Sequence, residues 1–264
     1  MRAEQRRQRM LEEIRRRSTA SVEELASALD VSKMTVHRDL DLLSQQRLVR
    51  KMRGGATMLP SVLFEADYRQ REQLNRAQKQ RLAEAAAELI EPGMAIALDD
   101  STTVAQIAPL LREKRPLTVL TNSLPLMVEL AEVEDLTVIS VGGTYDRIAR
   151  GFFGRVTEEA IGSLWIDLVI MSASAVRNCT TYYFDADIAR TKQAFLDIAD
   201  RKVVAFDSSK FEKSGLHKFV HLSAFDEVLI AGAVPPETWA QMVEEGVPCR
   251  HLDAADEDPE RSPT

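Results

Sequence analysis

Cysteine, histidine and long apolar runs are all scarce in this chain. Its two cysteines, Cys179 and Cys249, stand alone, without a neighbouring Cys or a metal-spaced His. Spacing therefore supports neither a disulfide framework nor a zinc site, and both thiols are read as buried or incidental. No stretch approaches the eighteen or so uninterrupted apolar residues that span a bilayer, and the N-terminus, Met1-Arg2-Ala3-Glu4-Gln5-Arg6-Arg7, leads into a charged segment with no apolar signal core. The expectation is a soluble, cytoplasmic protein with no membrane partner. Of the four histidines, His37 falls early and His217, His221 and His251 fall late, so histidine gives little support to acid-base catalysis. No metal or other cofactor is expected.

What is present is an uneven charge. Of the 264 residues, 1–57 hold 13 Lys/Arg against 8 Asp/Glu, a balance of +5, whereas the whole chain stands at −7 and the remainder therefore at −12. The acidic average hides a basic head, either a solvated face or a surface for a polyanion. The length, with 45% apolar residues, fits either one large domain or a small domain joined to a medium one, and the uneven charge favours the second.

The head predicts three short helices. Met10, Leu11 and Ile14 share one face of a helix from about Ala3 to Arg17. Ser21 with Glu24 three residues on is a capping-box pair, followed by Val22, Leu25, Ala26 and Leu29 at helical spacing. Asp30-Val31 makes a turn, Ser32 caps again, and Val36, Leu40 and Leu43 mark the buried face of a third helix from Lys33 to Gln45. This is a helix-turn-helix layout. The third helix would present Lys33, Met34, Thr35, His37 and Arg38 to the major groove, with Ser32 at its start also counted among the DNA-binding residues. Arg38 and Lys33 suit guanine or phosphate, and Thr35 suits phosphate or a thymine methyl. Leu48 to Arg53 reads as a strand and Gly54-Gly55 as a turn, giving a wing whose Arg50, Lys51 and Arg53 would rest on phosphates. Asp39 is expected to pair with a neighbouring arginine or cap a loop rather than meet DNA.

These residues carry a resemblance. Ser32-Lys33-Met34-Thr35-Val36-His37-Arg38-Asp39-Leu40, then Leu48-Val49-Arg50 and Arg53-Gly54-Gly55-Ala56, resemble the DeoR family of bacterial regulators, with His37 where the family usually has arginine.

Residues 58–75, with Pro60, Phe64 and Tyr68, read as a linker that becomes helical, and helical periodicity resumes at Gln78 to Ile90 through Leu82, Ala85, Ala86, Leu89 and Ile90. Pro92-Gly93 ends that helix. Residues 76–252 then alternate strands and helices: strands at Met94–Leu98, Leu117–Leu120, Leu136–Val141, Leu168–Met171, Val203–Phe206 and Glu227–Ala231, with helices at Thr103–Leu111, Leu124–Ala131 and about Ile188 to Asp200. The expected fold is α/β, a mostly parallel sheet of five or six strands with helices on both faces. Residues 253–264 read as an acidic disordered tail.

Ligands of such sheets sit beyond the carboxyl ends of the strands. There the chain places Asp99-Asp100-Ser101-Thr102-Thr103, Thr121-Asn122-Ser123 and Gly142-Gly143-Thr144. Their hydroxyl residues either cap the following helix or face an anion. Lys192 and Lys210, in Asp207-Ser208-Ser209-Lys210-Phe211, are candidate phosphate partners. Tyr182-Tyr183-Phe184 either line the pocket or pack. In order and spacing these motifs are similar to the DeoR effector domain, which is related in fold to ribose-5-phosphate isomerase; the likeness spans about residues 3 to 232. Asp100 departs from the glycine common there, and Ser172 to Asn178 lacks the family's glycines. The resemblance implies a DNA-binding repressor of carbohydrate metabolism whose small-molecule effector is a phosphorylated sugar held near Ser101, Thr102, Thr103 and Lys192. A homodimer or homotetramer on repeated operator half-sites is expected from the geometry of such motifs. Two rivals stand beside it. One is an isomerase-like enzyme using Asp99, Asp100, Asp185 and Lys192; the other is a C-terminal domain that only oligomerises.

Overall fold

The computed structural model describes residues 3–17, 19–45, 49–58 and 67–253. Leu48, part of the expected linker (59–66) and the tail from 254 lie outside the described residues. The chain forms two compact units, Met1–Asp67 and Tyr68–Thr264.

In the first unit, α1 (Ala3–Arg17), a short strand β1 (Thr19–Ser21), α2 (Val22–Leu29) and α3 (Lys33–Gln45) precede a hairpin of β2 (Val49–Met52) and β3 (Gly55–Met58). Ser21 caps α2 as its sequence predicts. Its hydroxyl accepts from the Glu24 N–H at 3.2 Å while its own N–H donates to the Glu24 carboxylate at 2.7 Å, a device worth about 1 kcal/mol. Met10, Ile14, Leu25, Leu29, Val36, Leu40 and Leu43 close one core. The unforeseen element is β1, which pairs antiparallel with β3 and makes the wing a three-stranded sheet. Gly55 makes this possible, because a Cβ there would overlap the Ala20 carbonyl.

The second unit opens with α4 (Tyr68–Gln73), inside the stretch expected to be linker, with Tyr68 buried and its N–H bonded to the Ile148 carbonyl at 2.9 Å. Then follow α5 (Arg76–Ala87), β4 (Ala95–Leu98), a 3₁₀ segment Val104–Glu113, β5 (Leu117–Thr121), α6 (Leu124–Leu130), β6 (Leu136–Ser140), a hairpin of β7 (Thr144–Asp146) and β8 (Gly151–Phe153), and α7 (Arg155–Ile161). The second half comprises β9 (Ile166–Met171), β10 (Ala175–Arg177), β11 (Thr180–Tyr183), α8 (Ala186–Asp197), β12 (Ala199–Asp207), β13 (His217–His221), β14 (Glu227–Ala231), α9 (Pro236–Glu244) and β15 (Cys249–His251). The expected helix at Thr103–Leu111 is 3₁₀ rather than α, and it contains Pro109. A proline there removes an N–H and would crowd the carbonyl of Ala105 in an α-helix.

The main sheet is parallel, in the order β15-β14-β12-β9-β4-β5-β6. It has seven strands where five or six were expected, because β15 has only three residues and little apolar pattern. Alternate strand residues feed two cores. Ile96, Leu98, Val119, Leu168, Ile170 and Val203 face α5 and the 3₁₀ segment, while Ala97, Leu120, Val169, Met171, Val204 and Phe206 face the opposite layer with Phe195 of α8. Reading outward from β4, the chain runs one way to β5 and β6 and the other way to β9, β12, β14 and β15. The order reverses between β4 and β9, which is where an open parallel sheet leaves a crevice at its carboxyl edge. A small antiparallel sheet, β10-β11-β13, is the second feature that the sequence pattern does not announce.

Candidate functional site

The first unit offers a basic surface. On α3, Lys33, His37 and Arg38 are exposed, Thr35 is half-buried, and Met34 is 78% exposed. An apolar side chain so exposed at the start of a helix suits a thymine methyl better than water. Ser32 caps the helix, its Oγ accepting from the Thr35 N–H at 3.2 Å, so its hydroxyl is already engaged. On the wing, Arg50, Lys51 and Arg53 are exposed. Two cations have local partners: Lys33 pairs with Glu23, and Lys51 Nζ lies 2.5 Å from Asp41 Oδ1. Asp39 is buried and takes Arg6 Nε at 2.6 Å, with Arg7 at 3.7 Å. It ties α1 to α3, in line with the structural role the sequence suggests.

In the second unit, buried polar groups gather at the carboxyl edge around the β4/β9 crevice. Asp99, at the end of β4, has no exposed surface and accepts from the N–H groups of Ser101 (2.9 Å) and Ser172 (2.8 Å) and from Lys192 Nζ (2.6 Å). It thus binds the ends of β4 and β9 to α8. Lys192 also reaches Asp100 Oδ1 at 2.5 Å. Burial alone would lower the pKa of this ammonium, but Asp100 and then Asp99 more than offset it, and the net shift is upward. Lys192 is therefore charged, and it shares its charge between two carboxylates, which weakens it as a partner for an anion. Tyr183 packs edge-on against Phe219, donates its hydroxyl to the Ser172 carbonyl at 2.9 Å, and lies beside Lys192.

The hydroxyl loops divide into two kinds. Ser101 Oγ accepts from Val104 N–H and Thr121 Oγ1 from Ser123 N–H, so these two act as local caps. Thr102 and Thr103 are buried beside them, and Thr103 makes no side-chain cap bond. By contrast Asn122 Oδ1, Ser123 Oγ, Ser172 Oγ and Thr191 Oγ1 are buried with no hydrogen-bond partner among the described residues. Such atoms are rare in folded proteins and mark a missing polar partner. Gly142 and Gly143 do not join this group. Both are exposed, and a Cβ on Gly143 would overlap Thr157 Oγ1 and approach the Phe153 carbonyl at 2.8 Å; the glycine serves close packing.

Sequence reasoning named Lys192 and Lys210 but missed Arg71 and Lys79. Arg71, Lys79, Lys192 and Lys210 are the four buried Lys and Arg among the described residues, and all belong to this edge. Lys79 donates to the Arg71 carbonyl. Burial first, and then the charge of Lys210, push its pKa down to about 8, although Asp207 acts the other way. Asp207 is buried too; desolvation would raise its pKa, but Lys210 and hydrogen bonds from Ser209 and Asn75 bring it below the usual carboxylate value. Arg71 and Arg150 both approach the Tyr68 ring, at 5.7 and 5.6 Å. A signal for Lys79 existed: it stands on the buried stripe of α5, three residues before Leu82 and four before Ala83, where an apolar residue would normally sit.

A DeoR-like helix-turn-helix domain model matches residues 6–62, and a DeoR C terminal sensor domain model matches residues 74–231. A putative aga operon transcriptional repressor of Escherichia coli is 29% identical over 92% of this chain and 91% of its own length. A glycerol-3-phosphate regulon repressor of Haemophilus influenzae is 30% identical over 87% of this chain and 89% of its own. Among solved structures, ribose 5-phosphate isomerase A of Methanocaldococcus jannaschii aligns over 52% of this chain and 55% of its own, with 17% identity and a TM-score of 0.39.

Proposed function

We propose, from the premise that this chain belongs to the DeoR family of transcriptional regulators, that it represses a carbohydrate operon and is released by a phosphorylated sugar bound at the β4/β9 edge. The DNA contacts fall to α3 and the wing: Met34, Thr35 and Arg38 on base edges, Lys33, His37, Arg50, Lys51 and Arg53 on phosphates. Residues 1–57 carry this role and 76–252 the sensing. Repeated half-sites call for a homodimer or homotetramer, and work on DNA places the protein in the cytoplasm. Among the described residues no helix is long and apolar enough to cross a membrane.

The single observation that carries the sensing role is the gathering of all four buried cations at one edge. A buried ammonium is costly unless a counter-charge meets it. Lys192 has two. Lys79 and Lys210 share the neighbourhood of Asp207, with Arg71 alongside, so the phosphate belongs at Arg71, Lys79 and Lys210. This moves it away from Lys192 and from Ser101, whose N–H is taken by Asp99. Asn122, Ser123, Ser172 and Thr191 then supply acceptors and hydroxyls for the sugar. The protein is not an enzyme on this reading, because Asp99 is fully engaged by two N–H groups and Lys192 and is not free to move a proton.

The experiment is operator binding titrated with phosphorylated sugars and their neutral parents, with product analysis on the same samples. Release by the phosphorylated members alone is the expected result. Turnover would favour the isomerase, and a panel with no effect and no calorimetric binding would favour a domain that only oligomerises.

A further inference from the structure

At the end of β11 opposite Tyr183, three side chains of different elements converge. Cys179 lies at the tip of the β10–β11 hairpin, His221 ends β13, and Glu245 follows α9. The Cys179 Sγ, a ring nitrogen of His221 and a carboxylate oxygen of Glu245 all lie within 4.8 Å of one another. We propose that these three residues form a binding site for a borderline-soft divalent metal ion, Zn(II) being the best match to one sulfur, one nitrogen and one oxygen donor.

The geometry is close to what such an ion requires. Zinc bonds of about 2.3 Å to sulfur and about 2.0–2.1 Å to nitrogen and oxygen put tetrahedral ligand atoms roughly 3.3–3.6 Å apart. His221 Nε2 and Glu245 Oε2 stand at 2.7 Å and need only separate slightly, while the sulfur draws in. The hairpin turn holds Cys179 and Asn178 at φ +50° and +47°, a left-handed pair in which the second position normally falls to glycine. Here that position carries a cysteine with no exposed surface, its thiol donating to Glu245. The His221 and Glu245 side chains are 37% and 35% exposed. Solvent therefore reaches the site from one side, which gives the ion an entry path and a water as fourth ligand.

The second shell is present as well. His221 Nδ1 lies 2.7 Å from Ser223 Oγ and 3.2 Å from the Ser223 N–H. Without metal, Nδ1 accepts from that N–H and Nε2 carries the proton toward Glu245. With metal on Nε2, the proton moves to Nδ1 and donates to Ser223 Oγ, the orienting bond a metal-bound histidine usually makes. The thiol proton leaves to solvent, so binding one M²⁺ releases one proton; the hydrogen bonds that Nε2 and the thiol make to Glu245 give way to bonds to the ion, and the long one from Ser223 N–H is lost. The ion would tie the hairpin tip to the end of α9, bracing the small sheet whose other end brings Tyr183 against Lys192. The residues lie 42 and 24 positions apart along the chain, which explains why spacing gave no sign of them.

The test uses the full chain, tag-free, reduced and stripped with chelator, titrated with Zn(II) against a chromophoric chelator and with Co(II) by absorption. One equivalent per chain and a thiolate-to-cobalt charge-transfer band are expected, with a higher Tm. Glu245→Gln, a change at an exposed position, should weaken binding by more than the roughly 10–100-fold that Ser223→Ala should cost as loss of an outer partner. Cys179→Ser should abolish the band, and Cys249→Ala should leave both readouts unchanged. Absence of stoichiometric binding, a band that depends on Cys249, or full affinity in Glu245→Gln would each overturn the proposal. None of these readouts depends on the sugar or on DNA.

Discussion

Replacing Lys79 by methionine separates a ligand-binding lysine from a structural one. Its ammonium is buried, and its pKa stands at about 8 against about 10.4 for a free lysine. At 1.36 kcal/mol per unit, keeping it charged at pH 7 destabilises the folded sensor unit by about 3 kcal/mol. Methionine removes that penalty and fills similar space. It also removes the donor to the Arg71 carbonyl, which costs about 1–3 kcal/mol if no water replaces it. The net is a protein of equal stability or one more stable by up to about 2 kcal/mol. Effector affinity should fall at least tenfold. Urea unfolding of both proteins, with and without the effector, measures the two quantities together. A Lys79→Met protein that is less stable by 2 kcal/mol or more and still binds the effector like wild type would refute the reasoning, because the lysine would then hold the fold and not the anion.

The pH dependence follows from the same residue. Lys79 loses its charge as pH rises through about 8, while a phosphate monoester stays dianionic above its second pKa of about 6; effector affinity measured by calorimetry should therefore weaken between pH 7.5 and 9 by up to about tenfold per unit. In the DNA-binding unit, Arg38→Ala should weaken the specific operator by about 1–3 kcal/mol with less effect on random DNA, whereas Lys51→Ala should weaken both alike and reduce the salt slope. Equal losses on both sequences for Arg38→Ala would assign it to phosphate. Lys192→Ala leaves Asp99 and Asp100 buried without their cation and should destabilise the sensor unit by about 3–5 kcal/mol, visible as a lower unfolding midpoint even without effector; an unchanged midpoint would mean that Lys192 is dispensable to the fold.

The helices of the first unit were legible, α1 from the spacing of Met10, Leu11 and Ile14, and α2 and α3 also from their start signals, Ser21 with Glu24 and Ser32. Strand β1 was not, since Thr19-Ala20-Ser21 has one buried residue and owes its existence to pairing with β3. The same holds in the second unit. Strand segments such as Leu168–Met171 and Val203–Phe206 are continuous apolar runs because both faces are covered, and they stand out. Cys249–His251 and the β10-β11-β13 sheet lack that signature and depend on long-range partners. The loops after β4 and β5 were singled out by topology together with resemblance, while Gly142-Gly143 shows how ambiguous the letter is: a glycine needed against Thr157, as Gly143 is, reads the same as one needed against a phosphate. Lys192 and Lys210 were named as phosphate partners, but Arg71 and Lys79 were hidden for a different reason. Charged residues are normally assigned to solvent, and only the fold shows that these two are enclosed.

That enclosure bears on how a signal could be produced. A ligand alters DNA affinity only by preferring one arrangement of the protein over another, and a difference of about 1–3 kcal/mol is enough for regulation. The penalty held at Lys79 is of that size, and an anion placed between Lys79 and Lys210 would relieve it. Relief is available only while α4 and α5, which bear Arg71 and Lys79, stay docked on the strand ends that bear Lys210. The anion therefore favours the docked arrangement by about as much as it relieves. In sequence, α4 directly follows the segment that joins the two units, so the elements the ligand fixes in place are the ones through which any change must be passed on. A neutral sugar meeting only Asn122, Ser123, Ser172 and Thr191 would satisfy hydrogen bonds without touching that penalty, and on this account it binds without switching.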